Sequence, residues 1–430
     1  ENFANTLEQV VTKTPVKHVV LCAMGDQLGL LKGALVNYVV RNVKKMVPAF
    51  NLPEAVRFND AIARGTRGTL KPATLKPDDI AVLQYTGGTT GVAKGAVLLH
   101  RNLVANVIQS EAWYQPALKK VPKGEQIVTI CALPLYHIFG FTANMMLSMR
   151  MGGANILIPN PRDLDAVLKE LAKHRFHSFP AVNTLFNALA NHPSFNTVNW
   201  KSLIMSVGGG MAVQSAVAKL WLEKTGCPIV EGYGLSETSP SATCNPVDST
   251  AYSGNIGMPL PSTDIRLLDD DGHDVPAGQP GEIALKGPQV MAGYWQRPDE
   301  TAKVMTADGF FRTGDIGTID ERGYVKIVDR KKDMVLVSGF NVYPNEVEDV
   351  VSQLPGVLEC AVVGVPDDKT GEAVKLVIVK KDPGLSEATV REYCRANLTG
   401  YKQPRVIEFR AEMPKTPVGK ILRRELRDKK

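Results

Sequence analysis

Short apolar runs closed by Gly or Pro recur through the first half of the chain: IAVLQYT at 80–86, QIVTICALP at 126–134, ANILIPN at 154–160, SLIMSVGGG at 202–210 and CPIVEGYG at 227–234. Each has the length and composition of a buried strand that ends in a loop. Between them, Leu164–Lys173 and Val213–Thr225 carry apolar residues at helical spacing. The alternation predicts an α/β domain, and in such sheets ligands bind beyond the carboxyl ends of the strands, where the Gly, Thr, Ser and Glu clusters of this chain fall. From about Gly257 the pattern changes to short strands separated by turns such as DDDGHDVPAGQPGE and DERGY, which predicts a smaller β-rich, barrel-like subdomain. The charged run DRKKD, Asp329–Asp333, then interrupts two apolar strands, and an α+β pattern follows to the end. The expected division is a large domain at 1–329, α/β to about 256 and β-rich over 257–329, a linker at 330–332 and a small C-terminal domain at 333–430. No internal repeat or low-complexity segment is visible.

Two segments raise the question of a membrane. Gln126 to Met149 has no Lys, Arg, Asp or Glu, but Pro134, Tyr136, His137, Gly140 and Asn144 would place a helix breaker and polar groups in hydrocarbon. It reads instead as a buried strand, a loop and a helix. Leu30–Val47 has four basic and no acidic residues, with Leu35, Val36, Val39, Val43 and Val47 near one helical face. Such a helix suits either an anionic membrane surface or a core contact with a solvated basic edge.

With 430 residues, 44% hydrophobic and 22% charged, the chain has the composition of a folded protein of two or three domains. Its net charge of +6 is concentrated in the last sixteen residues, which supply +5. A broad phosphate-binding patch is not indicated, so nucleic acid is not an expected partner. The six cysteines never fall in a CxxC spacing and suit free thiols in a reducing cytoplasm. The first residue is Glu1, with no start methionine and no leader-like segment, so no signal peptide is expected and a start inside a longer protein is.

The densest chemical signal is YTGGTTGVAKGAVLLHRN, Tyr85–Asn102, which follows a predicted strand and precedes a helix. Thr86, Gly87, Gly88, Thr89, Thr90 and Gly91 supply backbone N–H donors and hydroxyls for phosphate oxygens, and Lys94 adds charge. The glycine spacing and the Gly95 after Lys94 exclude a Walker A loop. This string resembles the adenylate-forming enzymes, the family of acyl-CoA synthetases, firefly luciferase and peptide-synthetase adenylation domains. LPLYHIFGF (133–141), GGG (208–210), EGYGLSET (231–238), RTGD (312–315), DRKKDMVLVSGFNVYPNEVE (329–348) and PKTPVGKILRREL (414–426) are similar to that family's remaining motifs in their order. The wording of several is especially similar to bacterial long-chain fatty-acid CoA ligases.

The resemblance implies the adenylate-forming fold, with a large α/β domain, a β-rich subdomain and a small mobile C-terminal domain. It implies ATP, CoA and a fatty acid as substrates, with Mg²⁺ as cofactor. Gly208, Gly209, Gly210, Gly232, Tyr233, Gly234 and Thr238 would line the nucleotide site, Tyr233 offering its ring to adenine. Asp315 would take the ribose hydroxyls with help from Arg330. Glu237, a hard oxygen donor, would hold Mg²⁺ with Thr86 or Thr89 as companion. Lys420, in a glycine-containing loop before a basic helix, would be the catalytic lysine. His137 would lie on the substrate and thiol path, with Phe139, Phe141, Met145 and Met146 lining either an acyl tunnel or the core. Lys332 would be the hinge, and Gly339 would face the CoA path after rotation. Members of the family carry an N-terminal portion with no counterpart here, so strands of the first sheet are expected to be missing. Three readings stay open: a fatty acid:CoA ligase, an acyl-AMP ligase that loads a carrier protein, and a nucleotide- or acyl-CoA-binding protein without activity. A homodimer and a peripheral place on the inner face of a membrane accompany the first.

Overall fold

The computed structural model describes residues 1–86, 93–276 and 278–427. The chain falls into two compact units, Glu1–Leu75 and Lys76–Lys430. In the first, helices Ala4–Val11, Leu30–Tyr38 and Phe58–Gly65 accompany a two-residue parallel pairing of Val20–Leu21 with Val56–Arg57. The Glu1 carboxylate pairs with Arg41 and Arg57. The expected helix at Leu30–Val47 is shorter and changes pitch: Val39–Val43 form a π-turn, which shifts the facing of every later residue. Val40 is therefore buried, while Leu35 and Val43 are exposed, so the apolar face expected from the sequence does not form as one stripe.

In the second unit the predicted strands form where the apolar runs lie. β1 (Ile80–Thr86) pairs antiparallel with β2 (Lys94–Leu99), which leads into α1 (His100–Leu118). A seven-stranded sheet follows, from β3 (Val128–Cys131), β4 (Ala154–Leu157), β5 (Ser178–Ala181), β6 (Met205–Gly208), β7 (Ile229–Gly234), β8 (Ser241–Cys244) and β9 (Met258–Pro259). Its spatial order is β9-β8-β7-β6-β5-β3-β4. β3 to β7 pair in parallel, and β8 and β9 close that edge antiparallel. Parallel neighbours need crossovers, and α2 (Leu164–Leu171), α3 (Asn183–Ala190) and α4 (Ser215–Thr225) supply them. Every residue of β5 and β6 is buried, as expected for strands covered on both faces. Phe176, Phe179, Phe186, Phe195, Trp200 and Trp221 form one aromatic cluster beside this sheet, with ring centroids 4.7–5.9 Å apart.

β10 (Asp264–Leu268), β11 (Gly281–Lys286), β12 (Phe311–Ile319) and β13 (Val325–Arg330) make a four-stranded antiparallel sheet in sequence order. After Arg330 the chain enters a third sheet, built from β14 (Val335–Val337), β15 (Phe340–Val342), β16 (Val357–Asp367), β17 (Gly371–Lys380) and β18 (Val406–Arg410), with α5 (Pro344–Ser352) and α6 (Glu387–Asn397). It has its own core of Val335, Val347, Val362, Leu376, Ile378 and Val390. The mixed α/β architecture expected from the sequence is thus present, with a large sheet and a small C-terminal one. Among the described residues no helix is long and apolar enough to cross a membrane. Gln126–Met149 folds as β3, a loop, a π-turn at Gly140–Met146 and the start of a short helix. Among the described residues after Lys420 the expected basic helix does not form, and Arg423–Glu425 make a 3-10 turn instead. Arg423 is drawn inward by Glu348 at 2.8 Å and Asn345 at 3.1 Å, which ties the segment down as a loop. Of the six thiols only Cys22 is exposed.

Candidate active site

The strand β7 ends in Glu231-Gly232-Tyr233-Gly234 and turns at once into the 3-10 turn Ser236–Thr238. A side chain on Gly234 would collide with the Pro240 carbonyl, so the sharp return of the chain needs glycine there. The return places Tyr233 opposite β12, where its hydroxyl donates to Asp315 Oδ2 at 2.7 Å. Asp315 and Arg330 are direct partners across β12 and β13, and Arg330 Nε lies 3.4 Å from Asp315 Oδ1. Burial and the neighbouring carboxylate hold the Tyr233 phenol far above its ordinary pKa, so it stays a donor.

Glu237 is 8% exposed and accepts a 2.8 Å hydrogen bond from the Tyr294 hydroxyl on Oε1. Its backbone carbonyl accepts the Met291 N–H at 2.8 Å. This buried carboxylate is fixed by residues more than fifty positions away. Lys94 belongs to the same group, because its ammonium sits 5.0 Å over the Tyr294 ring and pairs with Glu300. Thr86 ends β1 directly opposite Lys94. Gly87, Gly88, Thr89, Thr90 and Gly91 lie outside the described residues. The Thr238 hydroxyl accepts the Leu235 N–H at 2.9 Å and donates to Pro240 O, and the residue is fully buried. It shapes the turn that carries Glu237.

Lys420 reaches this cluster from the C-terminal segment. Gly210, at φ +80°, has no side chain to block it, and a Cβ there would stand 3.2 Å from Lys420 Cε. Burial, reinforced by the positive charge of Arg330, brings the Lys420 ammonium down to a pKa of about 8, with Asp315 and Glu237 pulling the other way. His137 faces the same space. Its Nδ1 accepts the Phe139 N–H at 3.2 Å, which leaves Nε2 to carry the proton. Burial, then the charge of Lys420, lowers its pKa to about 4, so it is neutral near pH 7.

Lys420 stands at the meeting of two cavities. One is walled by His137, Phe139, Tyr114, Val207, Cys244 and Leu260. The other runs past Tyr233, Asp315, Arg330, Ile327, Asn345 and Glu348. Gly210, Gly232, Tyr233, Gly234, Leu235 and Lys420 line both. Gly208 and Gly209 close the β6 end behind them, with Phe139 against Gly209. Among the four tunnel candidates, Phe139 faces the first cavity, whereas Phe141 and Met146 pack into cores with Leu103 and Val107.

Lys332 lies exposed in the link between β13 and β14. Gly339 is not part of either cavity: it sits at the exposed tip of the β14–β15 hairpin, where Ser338 and Gly339 both take positive φ. Sequence reasoning passed over Glu231, which is 7% exposed and accepts the Val213 N–H at 2.8 Å and the Tyr252 hydroxyl at 3.0 Å. Burial lifts its pKa to about 7.

These features meet in known proteins. Residues 4–295 match the family described as AMP-binding enzyme, and residues 346–420 match the AMP-binding enzyme C-terminal domain. The chain is 56% identical over 427 residues to a long-chain-fatty-acid–CoA ligase of Escherichia coli O6:H1, a match that covers 99% of this chain and 75% of that protein. Against the long-chain-fatty-acid–CoA ligase of Bacillus subtilis it is 41% identical over 350 residues, 81% of this chain and 61% of that one. Its fold superposes on ATP-bound MatB from Rhodopseudomonas palustris with a TM-score of 0.78 and 31% identity, over 98% of this chain and 80% of that one. The anthranilate CoA ligase AuaEII in complex with anthranoyl-AMP gives 0.79 at 26% identity, over 98% and 79%. Two matched segments that together hold Glu237, Asp315-facing Tyr233 and Lys420, and likeness along 99% of this chain to a long-chain-fatty-acid–CoA ligase, make this chain a member of the AMP-binding enzyme family.

Proposed function

We propose that this chain is an AMP-forming long-chain fatty acid:CoA ligase, which converts a fatty acid and ATP to acyl-AMP and pyrophosphate and then passes the acyl group to CoA. The observation that carries the reading is the position of Lys420 as a shared wall of two cavities, one reaching His137, Phe139 and Val207 and the other reaching Asp315 and Arg330. A carboxylate at the end of the first and an α-phosphate at the end of the second would meet at its ammonium. Likeness at 51–56% identity to long-chain-fatty-acid–CoA ligases supports the acyl class.

In the first half-reaction a carboxylate oxygen attacks the α-phosphorus and pyrophosphate leaves, so anion meets anion. Lys420 offsets the charge on the bridging oxygens, and Asp315, steadied by Tyr233, takes the ribose hydroxyls. The ring of Tyr233 and the bare backbone of Gly232 and Gly234 receive the base. Glu237 would hold Mg²⁺: one carboxylate oxygen is tied to Tyr294, and hard oxygen donors near a phosphate loop suit an ion that keeps waters and phosphates as its other ligands. Thr86 or Thr89 would join it. The bound ion supplies neutralisation of the pyrophosphate leaving charge. In the second half-reaction the CoA thiol attacks the acyl carbon and AMP leaves. For this the segment 333–430 would turn about Lys332 relative to 1–329, withdrawing Lys420 and bringing Gly339 to the thiol path, with His137 beside it. A contact of Leu30, Leu31 and Lys32 with an anionic bilayer would suit a lipid-borne substrate.

The direct test incubates the chain with ATP, Mg²⁺, CoA and C6 to C18 fatty acids and follows AMP and acyl-CoA by mass spectrometry. Matching AMP and acyl-CoA is the expected result. Acyl-AMP without CoA consumption would move the reading to a carrier-loading ligase, and no product to a binding protein.

The lowered pKa of Lys420 gives the reaction a basic limb. The side chain is charged below about 8 and neutral above it, so kcat/KM for acyl-AMP formation falls as pH rises through about 8. A Lys420→Arg variant, charged throughout, is expected to lack that limb whatever its absolute rate. A pH–rate profile with pyrophosphate release as readout checks both.

A further inference from the structure

The helix α3 has two buried faces of opposite character. Leu185, Phe186, Leu189 and Ala190 pack into the aromatic core, but Asn183, Thr184 and Asn187 are also at most 8% exposed. What covers two of these polar side chains is the segment after Arg330. Thr184 Oγ1 donates to the carbonyl of Gly419, the neighbour of Lys420, at 3.0 Å. Asn187 Nδ2 donates to the Leu358 carbonyl at 2.7 Å. The next helix is held in the same manner. Asp349 Oδ1, on α5, accepts from the Ser215 N–H at 2.9 Å and the Ser215 hydroxyl at 2.8 Å. Ser215 opens α4, whose own N-cap residue, Gln214, makes no side-chain cap bond. A carboxylate from the small C-terminal fold therefore caps a helix of the large one.

A contact that never opens favours apolar side chains, because each buried polar group costs free energy unless it is paired. Polar groups that are paired when covered and hydrated when uncovered suit a contact that opens and closes. Thr184 and Asn187 on one helix, with Ser215 at the start of the next, have this character, whereas Asn183 is paired with Gln214 within the large domain. Gly419 carries the strongest consequence, since its bond to Thr184 fixes the backbone one residue from Lys420.

We infer that the Asp349–Ser215 cap, with the Thr184 and Asn187 bonds, is a releasable latch that holds Lys420 in the shared cavity, and that Asp349 is a positioning residue for the first half-reaction. The inference rests on the two-step ligase reading above. In that cycle the latch closes for adenylation and must break before the thiol step, so its strength sets how the two steps are balanced.

The test compares the parent chain with Asp349→Ala and Asp349→Asn. Acyl-AMP formation is measured without CoA, and acyl-CoA formation is measured separately from synthetic acyl-AMP and CoA. Asp349→Ala is expected to lower the first rate by about tenfold, the scale of one lost capping contact, and to leave the second unchanged or faster. Asp349→Asn keeps an acceptor oxygen and is expected to recover most of the loss. Parental adenylation in Asp349→Ala, or an equal fall in both steps, overturns the latch. Tryptic cleavage after Lys331 and Lys332, mapped by mass under native conditions, reads the same latch without activity: Asp349→Ala should be cut faster than the parent at an unchanged unfolding temperature. Cleavage equal to the parent overturns it. A parent chain that makes no acyl-CoA strikes at the ligase reading instead, and the cleavage rates still decide the latch.

Discussion

Replacing Lys420 with alanine is expected to slow acyl-AMP formation by about 10²–10³-fold, the loss typical of one preorganised transition-state donor. The side chain is enclosed between Gly210 and the walls of both cavities, where a charge acts through little water and counts for more than at a surface. Of the neighbouring cations, Lys94 is engaged by Glu300 and the Tyr294 ring, and Arg330 by Asp315. Acyl-CoA formation from supplied acyl-AMP should stay near the parental rate, because in the proposed cycle Lys420 would be withdrawn for that step. Pyrophosphate release without CoA measures the first effect, and thioester formation from synthetic acyl-AMP the second. A variant that makes acyl-AMP at the parental rate removes Lys420 from the chemistry.

Lys332→Pro is expected to divide the two steps in the opposite direction. Proline fixes φ near −65° and restricts the residue before it, so a linker that must absorb a large rotation loses its freedom. In the arrangement described here the turn is held by Lys331 N–H to Gly314 O at 3.0 Å and by Asp333 and Met334 N–H to Arg330 O at 3.0 and 3.2 Å. None of those bonds uses the Lys332 N–H, so the Lys420-in arrangement should survive and acyl-AMP should form near the parental rate. Thioester formation should fall by about 10²-fold, as reacting groups that no longer reach alignment typically do. Equal loss in both steps counts against Lys332 as the pivot.

The two effects together show what the sequence made legible. Strand ends were readable because a run of β-branched residues closed by glycine has few other conformations, and IVEGYG and LIMSVGGG indeed end at the cavities. Family likeness carried Lys420 and Glu237, which by spacing alone are one cation and one acid among many. What stayed hidden depends on contacts distant in sequence. Nothing in MAGYW marks Tyr294 as the donor to Glu237, since the pairing arises only when two loops fold together. Nothing in the sequence marks Tyr114 and Cys244 as cavity walls, because a cavity wall and a packed core have the same composition. The bond from the Leu235 N–H to the Thr238 hydroxyl, which shapes the turn carrying Glu237, is likewise unmarked in the string. The basic residues after Lys420 promised a helix, and the acids that pull Arg423 inward are 75 or more positions earlier.

The shared wall has a further consequence, for inhibition. Six residues line both cavities, so an alkyl chain and a nucleoside bound separately would each complete the other's site. Joined through a neutral, non-hydrolysable link, the two fragments would enter as one molecule, and the second would dock at an effective concentration set by the tether rather than by the solution. Such a compound would also fill the space around Lys420 and so resist the turn of the C-terminal segment, arresting the cycle between its two steps.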